Sequence, residues 1–292
     1  MSGYRHGETA GTRRLPAWLR RPLAGGGAGA EVVDVLDTLQ LNTVCRSAKC
    51  PNRGECYARG TATFLVMGDA CTRGCRFCAV DTRRPAPLDA DEPRRVAEAA
   101  RRLELSHVVI TSVTRDDLSD GGAAHMAAVV EAVRKAVPGA TIEVLTSDFA
   151  GDLGAVDIVL AAKPDVFNHN VETVPALYAS VRPGARYERS LEVLAHAAAS
   201  RPDTPVKSGV MVGLGETEEQ VLAVMDDLLA AGVSILTIGQ YLRPSQDHLP
   251  VVEFVEPDRF TAYARAGYRK GFRVVSSAPF VRSSYHAEEA LS

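Results

Sequence analysis

The chain has 292 residues, 46% of them hydrophobic, with a formal net charge of −3 and an isoelectric point near 6.2. These values suit a globular protein with a sizeable core and exclude field-driven attraction to nucleic acid. No apolar run approaches the roughly 18 residues of a membrane span and the amino terminus lacks an apolar signal core, so no membrane is implied and the expected compartment is the cytoplasm.

The amino terminus carries Arg13, Arg14, Arg20 and Arg21. A transit peptide would share that feature, but Glu8 and the short distance to the first cysteines argue against one. Leu15-Pro16-Ala17-Trp18-Leu19 holds the single tryptophan, expected to anchor this arm on the body, and Gly25-Gly26-Gly27-Ala28-Gly29 reads as flexible. Next come Cys45, Cys50 and Cys56 in a C-x4-C-x5-C array. Pro51, Asn52 and Gly54 are turn formers, so residues 42–56 are expected to form a loop around a metal, without helix.

From residue 61 onward, apolar strand-like runs alternate with amphipathic helices. The predicted strands are 61–67, 107–113, 141–145, 166–170, 206–212 and 235–241; the predicted helices lie near 93–103, 123–137, 190–198 and 218–231. Thr217 and Gln220 stand at capping-box spacing ahead of the last of these. Six such units with nearly continuous apolar strands predict a parallel sheet covered by helices, its chemistry beyond the carboxyl ends of the strands. An incomplete (β/α)6 barrel fits, and so does a doubly wound open sheet.

Directly after the first predicted strand stand Cys71, Cys75 and Cys78, a C-x3-C-x2-C array with Gly74 expected to let the backbone fold back. The six cysteines thus fall into two groups of three with none left over, which in a cytosolic chain points to metal. Thiolates suit zinc or an iron–sulfur cluster. Structural zinc takes four protein ligands, whereas three thiolates suit a 4Fe–4S cube with one iron open; zinc stays the stronger rival at the first array.

Polar residues just past the strands should converge on that cube. After the second strand these are Thr114, Asp116, Asp117 and Asp120, the carboxylates also being candidates for capping the following helix. After the fourth, Asn170 and Glu172 should share one face, with His169 on the other as a core histidine. In the fifth unit Lys207 stands near the turn Gly213-Leu214-Gly215-Glu216-Thr217, whose N–H groups could approach a carboxylate or ribose.

The C-x3-C-x2-C array with Phe77 before its last cysteine resembles the radical S-adenosylmethionine superfamily. The resemblance implies a (β/α)6 partial barrel, a cluster on Cys71, Cys75 and Cys78 that reductively cleaves S-adenosylmethionine to a 5′-deoxyadenosyl radical, and contacts to that cofactor from Phe77, Thr114, Asn170, Glu172 and Lys207. Adding the first array, Gln240-Tyr241-Leu242-Arg243-Pro244-Ser245 and Arg282-Ser283-Ser284-Tyr285, the chain resembles the lipoyl synthase family over roughly residues 15–286. Other members often have Gln-Pro-Thr where this chain has Arg243-Pro244-Ser245. The family resemblance implies a second 4Fe–4S cluster on Cys45, Cys50, Cys56 and Ser283, consumed as the sulfur source for two C–H insertions at the sixth and eighth carbons of an octanoyl-lysine. The implied partners are octanoylated carrier domains of 2-oxoacid dehydrogenases (E2 subunits) and of the glycine-cleavage H protein, a donor such as flavodoxin or ferredoxin, and an iron–sulfur carrier. Residues 1–60 would then be a cluster-bearing extension, 61–255 the partial barrel, and 256–292 a closing helix and tail that supplies Ser283.

Overall fold

The computed structural model describes residues 14–20 and 29–291. Its sheet contains β1 (Asn42–Thr43), β2 (Thr63–Val66), β3 (His107–Ser112), β4 (Thr141–Leu145), β5 (Val166–Asn168), β6 (Val206–Val212), β7 (Ile235–Gln240) and β8 (Val274–Ser277). The strands lie side by side in chain order, β1 antiparallel to β2 and every later neighbour parallel. Because the order never reverses, the doubly wound alternative is excluded and the sheet is a partial barrel. The six strands read from the sequence are its central ones. β1 and β8 add an edge on each side.

Around the strands run α1 (Ala30–Thr38), α2 (Val44–Ser47), α3 (Arg53–Ala58), α4 (Glu92–Arg102), α5 (Ala123–Ala136), α6 (Leu153–Ala161), α7 (Tyr178–Val181), α8 (Tyr187–Ser200), α9 (Glu218–Ala230) and α10 (Pro257–Lys270). The capping box of α9 is present in both directions, Gln220 N–H to Thr217 Oγ1 and Thr217 N–H to Gln220 Oε1. The expectation of no helix in 42–56 is wrong. Thr43 Oγ1 accepts from the Arg46 N–H and starts α2, and the predicted turn formers join α2 to α3 rather than replacing them.

Strand alternation sorts the side chains. On β4, Ile142 and Val144 face outward into the main core with Val96, Met126, Val156 and Leu194, while Glu143 and Leu145 face the barrel interior. Trp18 is not the anchor of the N-terminal arm: it is 38% exposed, and its neighbour Leu19, at 4%, is the side chain that buries. Arg14 and Arg20 are exposed; Arg13, Arg21 and Gly25 to Ala28 lie outside the described residues.

After β8 the chain reverses and passes down the open side of the barrel. Gly239 and Gly209 make this possible. A Cβ on Gly239 would sit 2.1 Å from the Val281 carbonyl oxygen, and one on Gly209 would sit 3.1 Å from Ser283 Oγ, so the strap occupies the volume that side chains would fill. It ends with Ala290 packed on Val166 and Ile235 at the base of the sheet, where the Ala290 carbonyl accepts from Arg273.

Between base and mouth the interior holds an ion pair. Lys207 Nζ donates to both Glu143 oxygens at 2.9 Å, and Asn168 Nδ2 adds a third bond at 2.9 Å. Both charged side chains are almost fully buried. Replacing Lys207 by Met should therefore cost about 3–5 kcal/mol in denaturant unfolding, because it strands the Glu143 carboxylate. A loss below about 1 kcal/mol would mean that the pair does not carry this layer.

Candidate cluster sites and the chamber between them

β2 delivers the chain into the second cysteine loop. The reversal is made at Met67 (φ 68°) and Gly68 (φ 92°), not at Gly74, which stays outside the left-handed region. The loop is then tied on three sides: Cys71 N–H to Asp81 O at 2.8 Å, Thr72 N–H to Thr114 O at 3.0 Å, and Arg76 N–H to Val181 O at 2.9 Å. Backbone N–H groups of Arg73 and Thr114 each point at Cys71 Sγ at 3.4 Å.

Arg73 is the clamp that the sequence reading missed. It is buried, donates to both Asp116 oxygens at 2.8 Å, and pairs at 2.7 Å with Asp148, which also accepts from Arg189 at 2.8 Å. Burial works to raise the Asp148 pKa, but Arg73 and Arg189 outweigh it and hold the carboxyl below the usual range. Asp116 thus belongs to the cysteine loop, Asp117 pairs with Arg115, and Asp120 caps α5 through the Gly122 and Ala124 N–H groups. Only proximity in the fold relates Arg73 to Asp148; they stand on separate β/α units.

Beneath the loop lies a chamber of about 450 Å³. Its walls include Cys71, Cys75, Cys78, Phe77, Thr114, Asn170 and Glu172, so these expected residues are brought together. Asn170 and Glu172 do meet, Asn170 Nδ2 donating to Glu172 Oε1 at 3.2 Å. They meet by a kink rather than by strand alternation: β5 ends at Asn168, and Glu172 adopts φ 66° where it bridges Val210. Lys207 does not line the chamber, since its ammonium is held one layer below Gly209. The glycine turn is also taken, because the Glu216 carboxylate accepts from the Gly213 and Leu214 N–H groups.

Arg182, unremarked in the sequence, stands at the chamber wall. It is buried, donates to the Asn170 and Val171 carbonyls, and stands beside Cys75. Burial raises the Cys75 thiol, and Arg182 is the main influence pulling it back; Cys78, more deeply buried, is pushed up to about 12. A cation beside a thiolate site offsets the negative charge that three thiolates bring to a cluster.

The first array is built differently. Cys45 sits on α2 and is buried, while Cys50 in the connecting turn and Cys56 on α3 are half-exposed. Cys45 and Cys50 border the same chamber as the second array, and Ser283 and Ser284 of the strap border it too. Ser283 Oγ accepts from Asn170 Nδ2 at 2.6 Å. Cys56 opens instead into a separate cavity on the base side, of about 370 Å³, which Cys45, Cys50 and Ser284 also line.

Neither donor set is closed as tightly as a structural zinc site. A tetrahedral zinc with Zn–S near 2.3 Å needs sulfurs about 3.8 Å apart. Among the described residues, the only three ligand groups that all fall within 4.8 Å of one another are His286, Glu288 and Glu289, so neither cysteine triad is that tight. Three thiolates without a fourth such ligand suit a cube in which each sulfur holds a different iron.

The radical SAM superfamily model matches residues 65–228, from β2 through most of α9. Curated relatives extend the match to nearly the whole chain. The lipoyl synthase of Caldanaerobacter subterraneus subsp. tengcongensis is 56% identical over 281 residues, covering 96% of this chain and 98% of its own. The chain belongs to the lipoyl synthase family. The lipoyl synthase of Rubrobacter xylanophilus is 52% identical over 96% of this chain and 87% of its own. Among solved structures, methylornithine synthase (PylB) shares the fold, with a TM-score of 0.55 at 14% identity over 89% of this chain and 88% of its own. As a lipoyl synthase the chain is a radical S-adenosylmethionine sulfurtransferase that works with 4Fe–4S clusters and S-adenosylmethionine.

His169 beside the chamber makes a stability prediction. Its Nδ1 donates to the Thr146 carbonyl at 2.9 Å and its Nε2 accepts from Ser190 Oγ at 3.0 Å, which fixes a neutral ring. Burial lowers its pKa from 6.5 to about 4. Unfolded chains bind a proton below 6.5 that the folded state refuses until about 4, so on the order of 3 kcal/mol of stability should be lost as pH falls through that window. Urea unfolding of the parent and of His169→Asn across this range should show the slope reduced in the variant; equal slopes would remove His169 as its source.

Proposed function

We propose that Cys71, Cys75 and Cys78 hold the cluster that binds S-adenosylmethionine, and that Cys45, Cys50, Cys56 and Ser283 hold a second 4Fe–4S cluster that is consumed as the sulfur donor. The observation that carries this reading is the shared chamber: the second array, Cys45, Cys50 and Ser283 all border one space. The substrate is an octanoyl chain on a carrier lysine, sulfurated at its sixth and eighth carbons. Such C–H bonds yield to no acid, base or nucleophile, and the bound cofactors supply the carbon radical that breaks them.

This chain's own residues bind, orient and exclude water. Phe77, packed with Val181, Leu214 and Tyr241, offers an apolar wall for a nucleoside. Asn170 and Glu172 present an amide and a carboxylate suited to ribose hydroxyls, and Thr114 brings a backbone edge to the far side. Leu65, Val113, Leu145 and Met211 line the same space and would hold an alkyl chain dry. The Ser283 hydroxyl is a hard donor and a poor match to a sulfur-rich site, so it would leave iron readily as the cluster gives up sulfide.

The acceptors that fit are octanoylated carrier domains of 2-oxoacid dehydrogenases and the H protein of glycine cleavage. A flavodoxin or ferredoxin would supply electrons, and an iron–sulfur carrier would rebuild the consumed cluster, in the cytoplasm. No helix among the described residues is long and apolar enough to cross a membrane. Residues 1–60, 61–255 and 256–292 serve in this reading as cluster-bearing extension, barrel and closing segment.

Anaerobically purified protein should contain about eight iron and eight sulfide per chain. Ser283→Ala should retain S-adenosylmethionine cleavage and lose lipoyl product by roughly 10- to 100-fold. Cys75→Ala should form no 5′-deoxyadenosine. Zinc without sulfide in the purified protein, or undiminished lipoyl product from Ser283→Ala on an octanoyl-lysine peptide, would overturn the assignment.

A further inference from the structure

The first cysteine array faces two cavities. Cys45 and Cys50 border both the front chamber and the base-side cavity, and Cys56 borders the base-side cavity alone. The two are separated by the strap, whose Ser283 lines the front and whose Tyr285 and His286 line the rear. The rear cavity, about 370 Å³, opens between the leading ends of β2 and β3, with exposed Arg59, Glu104 and Ser106 at its rim. Its inner wall also holds Asn52, whose buried Oδ1 has no partner.

The strap's end closes this rear opening, and the ties that face the rim are polar. Arg59 donates to Glu288 Oε1 at 3.0 Å and to the His286 ring, and Tyr285 Oη donates to Glu55 Oε1 at 2.7 Å. The Arg59–Glu288 pair is about two-fifths exposed on each side, so it holds the strap weakly. During turnover the front chamber is filled by S-adenosylmethionine and an acyl chain reaching in from a carrier. The sulfurs that must be refilled are open from behind.

From this two-sided exposure we infer that the rear cavity is the entrance through which a thiolate-ligated 4Fe–4S cube reaches Cys45, Cys50 and Cys56, independent of the front chamber. The inference rests on the reading that the first array's cluster is consumed. The cube passes in its 2+ state and no electron moves. Three donor thiolates leave iron as thiols, carrying the protons of Cys45, Cys50 and Cys56, and the fourth leaves with the proton of the strap hydroxyl that takes the last iron.

The test uses the full chain with Cys71, Cys75 and Cys78 replaced by Ala, so that only the first array can take up iron. The probe is a synthetic 4Fe–4S cube carrying small monothiolate ligands, and the readout is the rate at which protein-bound cluster absorbance appears. Ser106→Trp, which fills the rim, should slow uptake about tenfold, a barrier increase of about 1.4 kcal/mol. Glu288→Ala, which frees the strap, should speed it, and Ser106→Ala should leave it unchanged. Ser106→Trp should keep the urea midpoint of the triple-Ala parent, which separates slowing by the filled rim from slowing by lost folding. Parental rates in both Ser106→Trp and Glu288→Ala would overturn the rear entrance. Failure of the parent triple-Ala protein to load any cube would instead overturn the underlying assignment of the first array.

Discussion

The contact on which the site depends is the passage of a polypeptide strap through the open side of a barrel. It is possible because two inward positions, Gly209 on β6 and Gly239 on β7, have no side chain. A methyl group at Gly239 would sit 2.1 Å from the Val281 carbonyl oxygen, which no small shift relieves. With the strap seated, Ser283 meets Asn170 at the level of the chamber and Ala290 closes the base. The interior is thereby cut into a front chamber and a rear cavity, and the first cysteine array lies on the dividing line.

Much of this was readable from residue order. The six central strands, the capping box of α9 and the two cysteine triads are local signals, each carried by residues within a few positions of one another. Where the reading failed, the cause was usually distance along the chain. Lys207 reads as a ligand because it stands near the glycine turn 213–217, yet its partner Glu143 stands two strands away and claims the ammonium. Arg73 and Asp148 meet only once β2 and β4 share a sheet. Helix α6 escaped for a different reason: Leu153 to Ala161 is apolar on nearly every side, leaving Leu153 and Ile158 exposed and no amphipathic stripe to read. β8 was hidden by its polar half, Ser276 and Ser277, at the edge of the sheet.

The two cysteine arrays differ in how firmly their surroundings grip them. The second is fixed by backbone bonds on three sides, by Arg73 locked between Asp116 and Asp148, and by a buried cation, Arg182, against Cys75. At the first array, burial together with the neighbouring thiols Cys45 and Cys50 raises Cys56 to about 12, and the opposing cation is Arg59, exposed at the rim and shared with the strap.

A site meant to keep its metal through many cycles gains from rigid donors and a matched charge, because both lower the free energy of the loaded state. A site proposed to give up sulfide gains from the opposite: donors on short helices and turns, and one hard hydroxyl ligand that leaves iron readily. Burial raises thiols in both arrays, so the asymmetry lies in the arginines: a buried one stands against Cys75 and an exposed one against Cys56, which in the proposed assignment favours retention at the second array over the first.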